Sequence, residues 1–445
     1  MRTYASICLG IPRTLLPKPG LDLTKWAVIA CDQFTSEPDY WQKVSDFIGE
    51  APSTLNLIYP EIYLGEKNPQ ARITRIREYM ERYMDMGLWE ESEGFIYVER
   101  EVGPHIRKGL IVCLDLEGYD FHKGSTYLIR STEGTILERI PPRVRTREGA
   151  PIELPHIMVL IDDPQNTVIG PLTANREKLK KLYDFELMMR SGHLSGYKVD
   201  EPGLESNIIH SLEALAEAGT FSRKYDLSTN TPVLLYAMGD GNHSLATAKT
   251  IWEKAKKHAP DSHKMMNSPL RYALVELVNL HDEALIFEPI HRVLFGLAQG
   301  RDLVNEMEAF YPTSCSSTTA GSLEQMKAEV DSQTEGAHNI GLITPGGFRV
   351  IKISSPASNL PVGTLQNFLD VFLKNRGAEQ VDYVHGTDVV LKLGQNPGNM
   401  GFYLPAMKKQ DLFKTVILDG ALPRKTFSMG EAWEKRFYME ARKLF

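Results

Sequence analysis

The chain has 445 residues, of which 42% are hydrophobic and 24% are charged, and this is the length and composition of a soluble protein with two or three domains. Its formal net charge of −7 argues against broad nucleic-acid binding through the phosphate backbone, although a local basic groove stays open. No apolar stretch approaches the length needed to cross a bilayer, and we expect no signal peptide. The four cysteines are far apart and include no C-x-x-C pair, so we expect a cytoplasmic protein without a structural zinc cluster.

The first predicted strand, residues 26–31 (WAVIAC), runs into the polar segment 32–36. Ligands collect at strand ends in open α/β sheets, so Cys31 and Asp32 are candidate site residues. A buried structural cysteine is the favoured interpretation of Cys31, and an ordinary turn aspartate is the alternative for Asp32. Helices are then predicted over residues 39–48 and 68–87, and strands over residues 95–101 and 109–116.

An arginine-rich segment, residues 130–143 (RSTEGTILERIPPR), follows these strands. Arginine is suited to bidentate recognition of carboxylate or phosphate, and Gly134 with two prolines restrains the backbone, so the segment is a candidate anion clamp. Arg145 and Arg147 follow closely, so five arginines could form the clamp, and its candidate anion-binding residues are Arg130, Arg139 and Arg143. The alternative is a surface loop whose arginines pair with neighbouring glutamates.

The next strong pattern is residues 152–163 (IELPHIMVLIDD), which predicts a central strand. His156 precedes the apolar run and could face a ligand, although a structural histidine is the commoner outcome. Asp162 and Asp163 end the run, and paired carboxylates at a strand end suit Mg²⁺ or a general base. Asp-Asp-Pro is also a common strand-terminating turn, so both interpretations stay open.

A strand, a polar turn and a helix are predicted in succession from residue 232, where the sequence is PVLLYAMGDGNHSLATA. Gly239 and Gly241 lack a Cβ, so the turn can adopt positive φ and bring its backbone against a ligand. The amides and the positive dipole end of the helix would favour an anion such as phosphate, with Asp240 and His243 adding titratable groups. Ordinary turn chemistry, with Ser244 as an N-cap, is the alternative.

The remaining predicted elements flank this turn. Before it, helices are predicted over residues 176–191 and 208–218, and a loop over residues 219–230. After it, we predict a strand over 270–280, a linker over 313–322, a hairpin over 336–354, helices over 362–376 and 411–419, and strands from 382 and 400. His291 and Arg292 could reach the same site, and Arg424 and Lys425 lie in a basic loop that could close over a phosphate or be a solvated turn.

Several motifs together resemble one family. They are ACDQFTSEPDYW at 30–41, RSTEGTILERIPPR at 130–143, ELPHIMVLIDDP at 153–164, GDGNHSLATAK at 239–249, EPIHRVL at 288–294, DYVHG at 382–386 and LPRKTFS at 422–428. The pattern is similar to the bacterial and archaeal family numbered 1015 among the domains of unknown function. The resemblance spans nearly the whole chain and implies no established activity.

The turn at 239–249 also resembles the Asp-Gly-His-His-Arg turn of the ParB/sulfiredoxin-like fold, which includes sulfiredoxin, the ParB nucleotide hydrolases and a free-serine kinase. In that fold the turn opens a helix and contacts nucleotide phosphates. The resemblance implies that Asp240, Gly241 and His243 take the positions of the Asp, the Gly and the second His. Asn242 replaces the first His, and Ser244 replaces the Arg, which removes a cationic phosphate contact. Another arginine would have to supply that contact, and the candidates are Arg130, Arg139 and Arg424.

We therefore predict an α/β protein with a mixed-sheet ParB/sulfiredoxin-like core and an additional C-terminal α/β part. The expected regions are residues 1–200 with the arginine loop, 201–312 with the strand–turn–helix, and 323–445. The predicted function is a kinase-like phosphotransferase that uses a nucleotide (ATP or ADP) with Mg²⁺ and a small hydroxyl-bearing substrate. The expected catalytic residues are Asp240, His243 and Asp162, and the expected metal ligand is Asp163. The expected phosphate- or substrate-binding residues are Gly239, Gly241, Asn242, Ser244, Arg130, Arg139, Arg143, His156, His291, Arg292, Arg424 and Lys425.

Two other functions are alternatives to this prediction. A nucleotide- or metabolite-binding regulatory module without turnover fits the same residues. DNA binding of the ParB kind is disfavoured by the net charge and by the lack of a helix-turn-helix pattern. A membrane partner is not expected, and a homo-oligomer stays open.

Overall fold

The chain forms two compact units in a computed structural model that describes residues 1–135, 137 and 140–445. The first unit comprises Met1–Leu285 and Glu431–Phe445, and the second comprises Ile286–Gly430. This division differs from the three regions expected from the sequence. The expected boundary at residue 200 falls inside the first unit, and the last fifteen residues belong to the first unit instead of the C-terminal part.

The strands, in chain order, are β1 (Thr3–Tyr4), β2 (Leu9–Gly10), β3 (Arg13–Pro17), β4 (Val28–Ile29), β5 (Trp89–Glu93), β6 (Phe95–Val102), β7 (His105–Asp115), β8 (Tyr119–Asp120), β9 (Ile129–Arg130), β10 (Ile152–Glu153), β11 (Met158–Ile161), β12 (Lys180–Glu186), β13 (His193–Val199), β14 (Tyr236–Asp240), β15 (Tyr272–Asn279), β16 (Phe287–Phe295), β17 (Cys315–Ala320), β18 (Ala337–Thr344), β19 (Gly347–Ser354), β20 (Gln380–His385), β21 (Met400–Tyr403), β22 (Phe427–Met429), β23 (Phe437–Tyr438) and β24 (Arg442–Lys443).

The α-helices, in chain order, are α1 (Leu23–Trp26), α2 (Pro38–Ile48), α3 (Pro69–Asp85), α4 (Ile140–Arg147), α5 (Gly170–Ala174), α6 (Pro202–Leu215), α7 (Ala218–Tyr225), α8 (Asn242–His258), α9 (Ser262–Met265), α10 (Leu303–Phe310), α11 (Leu323–Asp331), α12 (Pro361–Lys374), α13 (Thr387–Gly394) and α14 (Lys409–Asp419).

The first unit is built on one large mixed sheet. Its strand order is β12-β13-β6-β7-β15-β11-β14-β9-β8, with β2 added to β7 and β1 to β2, which makes eleven strands in the described part of the chain. Most pairs are antiparallel, whereas β11–β15, β14–β9 and β8–β9 are parallel. The predicted α/β class with a mixed sheet is confirmed.

Side-chain alternation divides this sheet into two hydrophobic faces. Val112 and Val275 point to one face, where α6 and α8 pack with residues such as Leu212 and Trp252. On the other face, Ile111 packs in a core that also contains residues of α2, α3 and the returning C-terminal segment. The sheet is therefore covered on both sides, as a largely buried sheet requires.

Helix α8 shows why this sequence forms a helix after the turn. Leu245, Ala248, Ile251 and Trp252 recur at helical spacing and are buried against the sheet. The last turn carries Lys256, Lys257 and His258, whose positive charges favour the negative end of the helix dipole. The helix predicted after the 239–244 turn is confirmed.

Three predicted elements differ from the structure. The helix predicted over 176–191 is instead mainly strand β12, because pairing with β13 and packing of Tyr183 against Gly196 outweigh local helix propensity. The loop predicted over 219–230 contains helix α7. The Glu217 side chain caps the N-terminus of this helix. The linker predicted over 313–322 contains edge strand β17, whose Ser and Thr residues pair with β19.

The second unit contains a separate antiparallel sheet. Its order is β17-β19-β18-β21-β16-β20, with β22 paired to the start of β16. The predicted hairpin over 336–354 is confirmed as β18 and β19. Val293, Ile343, Val350 and Val390 form part of its core.

Within the described chain, every helix is too short or too polar to traverse a bilayer.

Candidate functional site

The turn between β14 and α8 has the backbone geometry expected from its sequence at one glycine. Gly241 has φ 78°, and a Cβ at this position would lie 3.1 Å from the Ile157 Cα, so both conformation and space require glycine. Its carbonyl accepts hydrogen bonds from the amides of Ser244 and Leu245. Because the cap residue is glycine, it has no side-chain oxygen to offer the first-turn amides. Gly239 lies within β14 and is not among the described glycines with positive φ.

Asp240 is the last residue of β14 and lies in a charged environment. Its Oδ1 accepts a hydrogen bond of 2.8 Å from the Gly241 amide, and its Oδ2 is 3.3 Å from Lys435 Nζ. Burial raises the pKa of the Asp240 carboxyl, but Lys435, His156 and the Gly241 amide outweigh burial and lower the pKa below its ordinary value. Asp240 is therefore a carboxylate at neutral pH.

The start of the 130–143 segment is tied to this turn by two hydroxyl groups. Ser131 Oγ donates to Asn242 Oδ1 at 2.6 Å, and Thr132 Oγ1 donates to the Met238 carbonyl at 2.7 Å. These bonds orient the Asn242 side chain in the first turn of α8. Neither hydroxyl group was among the expected site residues.

His156 is 8% exposed and connects three parts of the first unit. Its Nε2 is 3.1 Å from Ser244 Oγ in α8 and 3.8 Å from Asp32 Oδ2. Its Nδ1 is 2.7 Å from the Tyr438 hydroxyl, which also accepts a hydrogen bond of 3.2 Å from the Cys31 amide. Both ring nitrogens therefore have partners, and the ring orientation is set.

A cavity of about 140 Å³ lies beside the first turn of α8. Apolar side chains form much of its wall, and His156, Ser244 and Tyr438 contribute polar groups. Its described lining residues all belong to the first unit, and they are Cys31, Leu57, Ile58, Tyr59, Glu61, Leu64, Met80, Pro142, Arg143, Thr146, Arg147, Ala150, Ile152, Glu153, Leu154, Pro155, His156, Ile157, Ser244, Thr247 and Tyr438.

Ion pairs border the cavity. Arg143 pairs with Glu61, and Arg147 pairs with the buried Glu153. Burial raises the pKa of Glu61 above its ordinary value despite Arg143. Burial also raises the pKa of the Cys31 thiol, so Cys31 is not a thiolate at neutral pH.

Arg130 does not face this cavity. Its guanidinium donates to the carbonyls of Tyr127 at 2.7 Å, Pro232 at 2.8 Å and Val233 at 3.1 Å, and burial lowers its pKa to about 10. The side chain thereby ties the chain before β9 to the chain before β14. Arg143 and Arg147 are the described arginines of the expected clamp that line the cavity, and Arg139 lies outside the described residues.

Asp162 and Asp163 lie at the other end of β11 from the turn, because the antiparallel pairing sets Met158 opposite Asp240. Asp162 accepts hydrogen bonds from Tyr225 and has His281 Nε2 at 2.6 Å and Lys224 Nζ at 2.8 Å. Asp163 accepts a hydrogen bond of 2.9 Å from the Val168 amide and another from the Thr167 hydroxyl. Among the described residues, no three His, Cys, Asp or Glu side chains are grouped so that they could hold a metal ion.

Four of the expected binding residues lie in the second unit, and they are His291, Arg292, Arg424 and Lys425. His291 Nδ1 accepts a hydrogen bond of 3.1 Å from the Leu404 amide, and burial lowers the pKa of His291 to about 4. Arg292 donates to the carbonyls of Arg424 and Lys425 at 2.8 and 2.9 Å. Arg424 pairs with Asp370 at 2.6 Å.

The structure thus brings together Asp240, Gly241, Asn242, Ser244, His156 and Arg143 from the expected site residues. His243 lies half-buried in the first turn of α8 with them. Lys435, Tyr438 and Glu61 were missed by the sequence analysis. The segment WEKRFYME around Lys435 and Tyr438 has no motif or periodicity, so its place beside β14 could not be found from local pattern.

A family model described as a protein of unknown function, DUF1015, matches residues 15–372, more than half of the chain. Among solved structures, a mutant free serine kinase in complex with ADP has a TM-score of 0.38 and 9% identity, covering 75% of this chain and 92% of that one. A conserved hypothetical protein from Pyrococcus furiosus has a TM-score of 0.34 and 11% identity, covering 75% and 97%. Comparison with curated proteins gives no match.

Proposed function

The chain belongs to the DUF1015 family, and we propose that it is a nucleotide-dependent phosphotransferase acting on a small hydroxyl-bearing metabolite. The main observation behind the proposal is that the N-terminus of α8, capped by a glycine, lies beside a cavity lined by His156 and Arg143. The arrangement offers one position for phosphate and one for an acceptor.

The phosphate position is proposed at the first turn of α8. A helix of seventeen residues places the positive end of its dipole at Asn242, and Gly241 leaves the approach free of a cap side chain. Arg143 lines the cavity and would add a fixed positive charge, in place of the arginine that the Asp-Gly-His-His-Arg turn supplies in the resembling fold. Arg143 would exchange part of its ion pair with Glu61 for the phosphate.

Mg²⁺ would enter with the nucleotide. The metal usually binds one or two protein carboxylates together with substrate phosphates, so a preformed three-residue site is not needed. Asp240 fits this part because it is ionised and directly precedes the turn. When bound, Mg²⁺ would neutralise charge on the phosphates, and Lys435 would hold the Asp240 carboxylate in place.

The acceptor is proposed to occupy the cavity. Its apolar walls suit the carbon skeleton of a small metabolite, and His156 with Asp240 supplies groups for moving the hydroxyl proton. Phosphoryl transfer requires mainly positioning and neutralisation of charge, and these residues provide both.

The proposal is tested by binding and by turnover in the same protein preparation. ATP or ADP with Mg²⁺ should raise the melting temperature, because a ligand that binds only the folded state stabilises it. Incubation with ATP and a panel of hydroxyl-bearing metabolites should then yield ADP and a phosphorylated acceptor, measured by mass spectrometry. A melting temperature that no nucleotide raises would refute the proposal.

A regulatory module that binds a nucleotide without turnover is the second candidate. It is favoured by the ion pairing of the carboxylates near the cavity, since Asp240, Glu61 and Glu153 each already have a cationic partner. For such a module, the same assay would give a raised melting temperature and no ADP.

A further inference from the structure

We propose that Ser244 is a nucleophile that accepts the phosphoryl group before the acceptor does, with His156 as its general base; this inference rests on the proposed function. The proposal concerns the side chain of Ser244, which replaces the arginine of the resembling turn. Its chemistry follows from four features of the described residues around it.

The first feature is the distance between the two reacting side chains. Ser244 Oγ and His156 Nε2 are 3.1 Å apart, within the range in which a histidine can take a hydroxyl proton. Both residues line the cavity, so a bound phosphate could approach the hydroxyl oxygen from the cavity side. Gly241 is the N-cap of α8, so the Ser244 side chain is not the helix cap that the sequence allowed.

The second feature is the fixed histidine ring. Tyr438 Oη lies 2.7 Å from Nδ1, and in the tautomer with Nδ1–H donating to Tyr438 the Nε2 lone pair faces the Ser244 hydroxyl. Tyr438 is itself held by the Cys31 amide at 3.2 Å and by its place in β23. Tyr438 is thus a positioning residue for the base.

The third feature is the negative charge around the imidazole. Asp32 Oδ2 is 3.8 Å from Nε2. This carboxylate stabilises the imidazolium that forms when His156 takes the proton. This is the arrangement of a nucleophile, a base and a group that stabilises the charged base.

The fourth feature is the position of Ser244 in the first turn of α8. An oxygen that develops negative charge here is stabilised by the positive end of the helix dipole. The same end is the proposed phosphate position, so nucleophile and phosphorus would meet without rearrangement of the helix.

The proposed transfer has two steps. Ser244 Oγ attacks the γ-phosphorus, the bond to the β-phosphate oxygen breaks, the nucleoside diphosphate leaves, and the hydroxyl proton passes to His156. In the second step the acceptor oxygen attacks the phosphoserine phosphorus and the P–Oγ bond breaks. His156 returns its proton to Oγ, takes the acceptor proton and releases it to solvent.

The experiment omits the acceptor. The full-length protein is incubated with ATP and Mg²⁺, quenched in acid and examined by intact mass and peptide mapping for phosphoserine at position 244. Ser244→Ala should abolish the label, whereas Ser211→Ala, a serine in α6 that donates to the Thr167 carbonyl, should keep it. His156→Gln should slow labelling by about 10²–10⁴-fold, the usual contribution of a general base.

Tyr438→Phe separates positioning from a merely structural role. Loss of the Nδ1 partner removes the hydrogen bond that sets the ring orientation, so the rate constant of labelling should fall while the ATP concentration that gives half-maximal labelling stays unchanged. The serine intermediate is refuted if Ser244→Ala forms the phosphorylated acceptor at the wild-type rate, or if Ser244→Ala still carries the label. Either result leaves the proposed function intact. If nucleotide does not raise the melting temperature, the proposed function is refuted, and the serine intermediate is refuted with it.

Discussion

Asp240 keeps its negative charge because three neighbours favour the carboxylate over the acid. Lys435 lies 3.3 Å from one oxygen and the Gly241 amide donates to the other. A charge held at the end of a strand, directly before a helix, is well placed to act on a bound cation or hydroxyl. Its contribution to function and its contribution to stability can be measured separately.

The first prediction concerns turnover. Asp240→Asn preserves shape and the bond to the Gly241 amide but removes the charge, so phosphoryl transfer should fall by at least about 100-fold with the circular dichroism spectrum unchanged. The matched control is Asp200→Asn, since Asp200 also pairs with a lysine, Lys198 at 3.5 Å, on an exposed surface. If turnover survives in Asp240→Asn, the role proposed for this carboxylate is wrong.

The second prediction concerns pH. Because folding lowers the pKa of Asp240, its charge stabilises the folded state at pH values above the ordinary value of 3.8, and this stabilisation disappears as pH falls through the lower folded pKa. The difference in unfolding free energy between wild type and Asp240→Asn should therefore be constant from about pH 5 upward and shrink below pH 3.8. Urea unfolding across this range measures it, and a difference that grows on acidification contradicts the assignment.

At the scale of elements, the β14–α8 connection depends on one glycine for two separate reasons. Gly241 has φ 78°, and its missing Cβ leaves room for Ile157, which precedes β11. Gly124 has nearly the same conformation, φ 80°, but a Cβ there would have nothing within 4 Å. The two glycines therefore separate the conformational requirement from the requirement for space.

The third prediction uses this pair. Gly124→Ala should cost about 1–2 kcal/mol of unfolding free energy from the backbone conformation alone. Gly241→Ala should cost about 1–3 kcal/mol more, because the new Cβ meets Ile157, and it should also abolish the nucleotide-induced rise in melting temperature. Equal losses of stability in the two variants would show that the close approach to Ile157 is not limiting.

A second element-scale feature is the anchoring of the C-terminal segment by buried charges. Arg436 pairs with Glu276 of β15 and with Glu440, and its Nε donates to the Pro155 carbonyl at 3.0 Å. Its neighbours Lys435 and Tyr438 reach Asp240 and His156, so this anchor also positions the candidate site.

The fourth prediction tests this anchor. Arg436→Met leaves Glu440 buried without its cation and leaves Glu276 with Arg107, at 3.7 Å, as its remaining ion-pair partner, and it should cost about 3–5 kcal/mol. Arg13→Met removes an exposed pair with Glu93 at 3.1 Å and should cost less than about 1 kcal/mol. Chemical denaturation of both variants gives the comparison, and a small loss in Arg436→Met would mean that the network is not stabilising the segment.

At the scale of the whole molecule, the first unit is closed by residues from both ends of the chain. Residues 286–430 form the second unit, and the chain then returns with Glu431–Phe445 to the first. Phe437, Tyr438, Met439 and Ala441 are buried in the core that lies on the α2 and α3 side of the large sheet. Folding of the first unit therefore depends on residues 431–445, which follow the second unit in the sequence.

The fifth prediction follows from this return. A chain that stops after Gly430 should show fast amide exchange in β6, β7 and β15, because their shared core is incomplete, while β18 and β19 of the second unit stay protected. Removal of Phe445 alone, which is 70% exposed, should leave both units protected. Hydrogen exchange read by mass spectrometry distinguishes these outcomes, and full protection in the longer truncation would contradict the prediction.

The sequence by itself determined the features that depend on neighbouring residues. The strand–turn–helix around Gly241 and the β18–β19 hairpin follow from glycine conformation and from hydrophobic periodicity, which are local properties. The family was indicated by the resemblance of its sequence motifs. Even so, local pattern predicted a helix where Lys180–Glu186 form a strand, because the pairing with β13 that decides this segment is not local.

Only the tertiary structure decided which charged and polar groups share the cavity. Arg130, which looked like an anion ligand, donates its hydrogen bonds to three backbone carbonyls, and Asp162 lies at the far end of its strand from Asp240. Lys435 and Tyr438 come to the turn from a segment without a motif, through the buried pairing of Arg436 with Glu276. Side-chain direction and long-range contacts set these positions, and neither is written in the spacing of residues along the chain.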